Sequence, residues 1–103
     1  MGADVAAGRH DATPPGEDEI AARMRAEGLS PYGWGNGPGD SYGWHEHGYE
    51  KVLYSVRGRI VFHTDTGDAD LGPGDRLVLP PHTRHPATVG AEGVRCVEAP
   101  RQG

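Results

Sequence analysis

The chain has little of what several large classes of protein need. Its 103 residues include one cysteine and one phenylalanine, and only 35% of them are hydrophobic. The lone Cys96 has no intrachain partner for a disulfide, so nothing indicates an oxidising compartment. No apolar run is long enough to span a bilayer or to act as a signal peptide. These absences predict a cytoplasmic protein.

Positive charge is also scarce. Ten Lys and Arg residues stand against fifteen Asp and Glu residues, which gives a net charge of −5 at pH 7. Nucleic-acid binding depends on a basic surface that neutralises phosphates. An anionic membrane surface attracts the same kind of patch. We therefore expect neither nucleic acid nor a membrane as a partner.

Glycine and proline, by contrast, are plentiful, with 17 and 9 residues. This composition predicts many short elements joined by tight turns, within one domain that encloses one modest core. Residues 1–15 lack periodicity, which predicts a mobile tail or, alternatively, an arm that crosses to a partner subunit. The domain itself is expected over residues 16–103.

A helix is predicted over residues 17–27. Its first three residues are acidic, which suits the positive end of the helix dipole. Ile20 and Met24 lie four residues apart and form a narrow apolar stripe. Gly28 favours the end of the helix. A helix of this kind fits the outside of a sheet.

Short apolar runs separated by turn signals make up the rest of the chain, and they predict an all-β sandwich or barrel. The predicted strands cover residues 51–56, 59–64, 69–71, 76–79, 85–89 and 94–98. The residues expected to fill or flank the interior are Leu53, Ser55, Ile60, Phe62, Leu77 and Leu79.

The opposite face of the first strand is also apolar, with Val52, Tyr54 and Val56. Apolar residues on both faces indicate that the outer face is covered as well. The helix can cover part of it and a second subunit the rest, so we expect a homodimer.

Aromatic residues alternate with glycines just before these strands. They fit packing around a loop or edge strand and, as an alternative, a stacking surface for bases or sugars. The residues concerned are Tyr32, Trp34, Tyr42 and Trp44.

Two histidines one residue apart, His45 and His47, head the first strand, and His85 lies in a later one. Successive side chains of a strand point to opposite faces. His45 and His47 therefore share a face, where two imidazoles can bind one metal ion. His85 on an adjacent strand would supply a third ligand. Imidazoles suit Fe, Mn, Ni, Zn and Cu, so the identity of the divalent metal stays open.

These segments resemble the two motifs of the cupins, a family of small jelly-roll barrels. The resemblance covers residues 39–97 and implies an all-β cupin jelly roll with one short N-terminal helix. It leaves activity open, because cupins include dioxygenases, isomerases, decarboxylases, storage proteins and sensor domains. The matching residues are Gly39, His45, His47 and Gly58 in the first motif, and Gly74, Pro80 and His85 in the second.

Lys51 is the departure from the family pattern that matters most, because it stands where the family has a metal-binding Glu. His82 and Val89 also depart, at the positions of a Gly and an Asn. An ammonium does not bind a metal. Glu50 is an alternative ligand if a β-bulge before it shifts the strand's parity, whereas in a straight strand it faces away.

Three interpretations of Lys51 stay open. It holds a substrate carboxylate or enolate oxygen beside the metal, it pairs with an acidic neighbour, or it has replaced the ligand in a metal-free site. In an enzyme, Lys51 or Tyr49 would orient the substrate. Three neutral histidine ligands leave a divalent ion with its full charge, which attracts an anionic or chelating molecule.

Two further histidines are interpreted as peripheral. His82 is predicted to be a loop residue, and His63 a surface or internally satisfied histidine.

Three functions fit these residues. The first is a metalloenzyme with dioxygenase-type or Lewis-acid chemistry on a small oxygen-bearing molecule. The second is a non-catalytic module that binds or senses a small ligand. The third is a metal-independent isomerase or epimerase with a histidine base and a tyrosine acid.

Overall fold

The computed structural model describes residues 6–8, 14–39, 41–42, 48–82 and 86–101. It is mostly antiparallel β-structure with one short helix, as the sequence predicts. The elements in chain order are β1 (Ala6–Gly8), α1 (Glu17–Ala26), β2 (Tyr32–Asn36), β3 (Ser41–Tyr42), β4 (Glu50–Thr64), β5 (Gly67–Leu71), β6 (Arg76–Leu79) and β7 (Ala87–Arg101).

Helix α1 lies where the sequence places it. Gly28, with φ of +83°, adopts the left-handed conformation that ends the helix. The backbone N–H of Leu29 donates to the carbonyl of Met24 at 2.9 Å. Ile20 and Met24 are fully buried, so the apolar stripe is confirmed as the packed face. No helix in the part of the chain that the structure describes is long and apolar enough to cross a bilayer.

The sheet is organised around β4 and β7. All pairings are antiparallel, in the order β1-β6-β4-β7-β2, with β5 added to β4 and β3 to β7. The predicted hairpin is confirmed: β4 and β5 pair up to Thr64 and Gly67, across a two-residue turn. Strand β6 has the predicted bounds.

The long strands differ from the prediction. Residues 51–56 and 59–64 belong to the single strand β4, and residues 94–98 continue the strand that begins at Ala87. The register of β4 against β7 shifts between Ser55 and Arg57 and again between Gly58 and Ile60. Such β-bulges bend a strand without ending it. Gly58, Gly90 and Gly93, which signal turns in the sequence, therefore lie inside continuous strands.

The interior of the barrel is filled as predicted. Leu53, Ile60, Phe62, Leu77 and Leu79 belong to one buried apolar cluster. Ser55 shares the inner face of β4 and is fully buried. Its hydroxyl has no hydrogen-bond partner among the described residues.

A second apolar cluster lies on the outer face of β4. Val52, Tyr54 and Val56 pack there with Ile20 and Met24 of α1. The helix therefore covers this face, as expected. The second subunit stays a prediction, because one chain is described.

Part of the predicted N-terminal tail forms a strand. Ala6–Gly8 pairs with β6 of the same chain, with Ala6 opposite Val78. The other residues from 1 to 13 lie outside the described ranges, so the mobility of the tail and its crossing to a partner stay predictions.

Gly58 lies where β4 and β7 approach too closely for a side chain, and it provides a test of the fold. Its φ is +73°, and a Cβ there would lie 1.9 Å from the carbonyl oxygen of Gly93. We predict that Gly58→Ala lowers the free energy of unfolding by at least about 2 kcal/mol, measured by urea denaturation.

Gly16→Ala is the matched control. Gly16 has φ of −75°, and an added Cβ would meet nothing within 4 Å. Its expected cost is below about 1 kcal/mol. Equal losses in the two variants would contradict the close approach at Gly58.

Candidate functional site

The three predicted metal ligands, His45, His47 and His85, lie outside the described residues. Within the described ranges, no group of three or more His, Cys, Asp and Glu side chains is placed to hold a metal ion. The metal centre therefore stays a prediction. What the structure describes is the inner face of β4, which begins at Lys51.

Lys51 points into the barrel. It alternates with Val52 and shares the inner face of β4 with Leu53. Its side chain is 9% exposed, and its Nζ lies 3.4 Å from Oε2 of Glu98, whose side chain is 7% exposed. Of the three interpretations of Lys51, the structure shows the pairing with an acidic neighbour. A contact between Lys51 and a substrate stays a prediction.

Glu98 is the centre of this arrangement. It lies on β7, and register places it opposite Tyr32 of edge strand β2. The hydroxyl of Tyr32 donates to Oε2 of Glu98 at 2.7 Å, and Nε1 of Trp34 donates to Oε1 at 2.6 Å. Each carboxylate oxygen therefore accepts a short hydrogen bond from an aromatic side chain. We call Lys51, Glu98, Tyr32 and Trp34 the interior polar cluster.

Tyr32 joins the cluster to solvent. The residue is 52% exposed, although its hydroxyl is bonded to the buried Glu98. Partial burial raises the pKa of Tyr32, and the hydrogen bond to Glu98 raises that pKa further. The phenol therefore stays protonated at neutral pH and acts as a hydrogen-bond donor.

Sequence reasoning missed Glu98. Glu98 lies two residues after the buried Cys96, on the same face of β7. A carboxylate on the buried face of a strand needs hydrogen-bond donors, which was the available signal. Trp44 and the side chain of Tyr42 lie outside the described residues, whereas Tyr32 and Trp34 serve here as packing and donor groups of an edge strand. This agrees with the first of their two interpretations.

Glu50 lies on the other face of the sheet. It precedes Lys51, and its carboxylate accepts a hydrogen bond from Nε of Arg101 on β7. Arg101 also lies 3.9 Å from the carboxylate of Glu27 at the end of α1. The start of β4 is thus held by one ion pair on each face. A metal-binding role for Glu50 stays an untested prediction.

Tyr49, the second residue proposed to orient a substrate, is half-buried immediately before β4. It interacts electrostatically with Tyr32. The structure thus places it at the same end of the barrel as the interior polar cluster.

The two peripheral histidines behave as interpreted. His63 bonds Asp68 through Nδ1 and Thr88 through Nε2, both at 2.9 Å, and its side chain is 40% exposed. His82 is exposed in the turn after β6, with φ of +61°.

The chemistry of the available donors limits which metal site fits. At position 51 the chain offers an ammonium that is already engaged by a carboxylate, and an ammonium is not a ligand. The three imidazoles of His45, His47 and His85 therefore stay the predicted ligand set, and they lie outside the described residues.

Comparisons with known proteins agree with the fold. The family model of the Cupin domain matches residues 36–98. The curated 3-hydroxyanthranilate 3,4-dioxygenase of Burkholderia lata is 31% identical over 70 residues, which cover 64% of this chain and 40% of the dioxygenase.

Solved structures show the same similarity. A chain from the crystal structures of the DMSP lyases RdDddP and RnDddQII superposes with a TM-score of 0.68 and 32% identity, over 73% of this chain and 39% of that one. A cupin superfamily protein from Desulfitobacterium hafniense superposes with a TM-score of 0.65 over 97% of this chain and 79% of its own, at 16% identity. The chain spans about two fifths of the length of the dioxygenase and of the lyase.

Cys96 gives a direct test of the barrel interior. The residue is fully buried, and burial together with the charge of Glu98 raises the pKa of its thiol from 9.0 to about 12. Because the thiolate is the nucleophile, we predict no alkylation of native protein by iodoacetamide at about pH 8 and complete alkylation in denaturant.

The same shift predicts how stability changes with pH. The folded state holds the Cys96 proton more tightly, so its contribution to the free energy of unfolding is present below pH 9 and is lost as pH rises toward 12. Cys96→Ala is the control, because it lacks this part of the alkaline loss. Rapid alkylation of the native protein would contradict the described interior.

Proposed function

The chain belongs to the cupin family, and from that premise we propose that it is a small metal-binding cupin that acts on a small oxygen-bearing molecule. The observation that carries the proposal is the interior polar cluster. Four polar side chains converge on the inner face of a mostly apolar barrel, and one of them, Lys51, follows the predicted ligand His47 by four residues in the sequence. A barrel interior that served only for packing would have no need of a buried ion pair.

We propose His45, His47 and His85 as the ligands of a divalent Fe, Mn, Ni, Zn or Cu ion. Such an ion supplies Lewis-acid chemistry or binds oxygen beside the substrate. Glu50 is left out of this set because its carboxylate is bound by Arg101 on the outer face of the sheet.

The chain's own residues would hold the substrate. The ammonium of Lys51 is oriented into the barrel and suits an anionic oxygen. Tyr49 lies at the same end of the barrel and would help to orient the molecule. Because the three histidines are neutral, an anionic or chelating substrate is favoured over a neutral one.

The relatives support the proposal that the chain is an enzyme, but they do not agree on one reaction. One is a 3-hydroxyanthranilate 3,4-dioxygenase and the other comes from a study of DMSP lyases, so their reactions differ. We propose dioxygenase-type or Lewis-acid chemistry as the reaction class. The whole activities of those longer proteins are not carried over, since the chain covers two fifths of each.

The setting of this function is also part of the proposal. We propose a cytoplasmic protein that binds neither nucleic acid nor a membrane, on the basis of its single cysteine and its net charge of −5, and a homodimer, as the sequence predicts.

A second candidate function is a non-catalytic module that binds or senses a small ligand. The Lys51–Glu98 pair favours it, because the pair occupies the place of the acidic ligand that the family pattern predicts. A metal-independent isomerase has no comparable support among the described residues, where the two histidines, His63 and His82, lie outside the interior polar cluster.

Metal content separates these candidates. We predict near-stoichiometric divalent metal in untagged protein by elemental analysis, and its loss from both His47→Ala and His85→Ala, since two imidazoles hold a metal far more weakly than three. His63→Ala is the matched control and is expected to keep the metal, because His63 is bonded to Asp68 and Thr88.

The opposite result would be protein without metal even after incubation with iron, manganese, nickel, zinc and copper. That outcome would exclude the metalloenzyme and leave the ligand-binding module.

A further inference from the structure

The contact between Lys51 and Glu98 is looser than a direct charge-assisted hydrogen bond. The Nζ to Oε2 distance is 3.4 Å, whereas ammonium–carboxylate hydrogen bonds are typically about 2.7–2.9 Å. The two aromatic donors lie closer to the carboxylate, at 2.7 Å for Tyr32 and 2.6 Å for Trp34. The carboxylate of Glu98 is therefore held primarily by the hydrogen bonds from Tyr32 and Trp34 of β2. Lys51 interacts with this carboxylate mainly through its charge.

This geometry has two consequences for Lys51. A buried ammonium needs a negative charge nearby, and Glu98 supplies it. An ammonium also carries three N–H donors, and at 3.4 Å the carboxylate engages them weakly. Lys51 is therefore kept in the barrel with donor capacity that a second oxygen can use.

We propose that Lys51 is an anion-binding group and that Glu98 is its built-in competitor. The ligand is a small molecule with a carboxylate or a similar anionic oxygen, which has to compete with the carboxylate of Glu98 for the ammonium. Tyr32 and Trp34 set the strength of that competition, because their hydrogen bonds draw Glu98 toward β2. The inference rests on the proposed function only in assuming that a ligand enters this end of the barrel.

The position of Tyr32 supports access to the cluster. Tyr32 is 52% exposed, and its hydroxyl shares Oε2 of Glu98 with Lys51. Solvent therefore reaches Tyr32 directly. The side chains of Tyr32 and Glu98 lie between that solvent and the buried ammonium of Lys51.

One substitution is expected to raise the affinity for a small carboxylate, and two are expected to lower it. Glu98→Gln removes the competing charge and should raise the affinity for a small carboxylate about tenfold. Tyr32→Phe removes one of the donors that hold Glu98 away, so the carboxylate closes on Lys51 and the affinity should fall several-fold. Lys51→Met should abolish binding in metal-free protein. A purely structural ion pair would give no such pattern.

The experiment is a titration of metal-free full-length protein with acetate and benzoate, with acetamide and benzamide as neutral probes of the same shape. The indole N–H signal of Trp34 in NMR spectra, assigned with Trp34→Phe, reports on Glu98 directly because the two are bonded at 2.6 Å. The expected result is saturable binding of the carboxylates only. Their affinity should be highest for Glu98→Gln, lower for wild type and lowest for Tyr32→Phe.

Asp70→Asn is the matched control for the loss of one negative charge. Asp70 forms an exposed ion pair with Arg59 at 3.0 Å, and its removal should leave the carboxylate affinity unchanged. If Lys51→Met does not fold, the double variant Lys51→Met/Glu98→Gln replaces it, since it leaves no buried charge. If Glu98→Gln does not fold, Tyr32→Phe still tests the proposal, because its affinity for the carboxylates is expected to be lower than that of wild type.

The proposal is overturned if Glu98→Gln binds the carboxylates no better than wild type, or if neither protein binds them. It is also overturned if the neutral amides bind equally well. Because these titrations use metal-free protein, their outcome is independent of the metal site. A failed metal analysis with a positive titration would reject the metalloenzyme and keep the anion site.

Discussion

A carboxylate buried inside a barrel has to be satisfied by donors that reach it there, and at Glu98 this requirement involves three strands. Tyr32 and Trp34 reach it from the edge strand, and Lys51 reaches it from the central strand. Strand β7 lies between them and carries Glu98 itself. The edge strand is thus fastened to the barrel by side chains as well as by its backbone ladder. This matters for a strand that has two glycines and no other neighbour among the described residues.

The same carboxylate changes the chemistry expected of a cupin site. A Glu at position 51 would give the metal a negative ligand, whereas this chain has a cation there and an anion on the next strand. The carboxylate expected at position 51 of β4 is therefore found at position 98, on the neighbouring strand β7. The proposed metal centre would have only neutral imidazole ligands, so negative charge would come from the molecule that binds. This explains why an anionic ligand is the common element of the enzyme and the binding-module hypotheses.

Local patterns predicted much of this architecture, and long-range contacts set its limits. The acidic first turn, the Ile20 and Met24 stripe and Gly28 were sufficient to place α1. The sequence predicted the end of a strand near Gly58, because glycine is common in turns, where φ is often positive. Here Gly58 marks a close approach of β4 to Gly93 of β7, which depends on a partner far along the chain. Glu98 was missed for the same reason, since its partner Tyr32 lies 66 residues away.

The coupling between Lys51 and Glu98 tests this account most directly. A double-mutant cycle with Lys51→Met and Glu98→Gln would measure it by urea denaturation, beside a control cycle on the exposed Arg59–Asp70 pair. The account predicts a coupling on the order of 1–3 kcal/mol for the buried pair and at most about 0.5 kcal/mol for the exposed one. Additive losses at Lys51 and Glu98 would show that the two charges do not meet inside the barrel and would contradict the account.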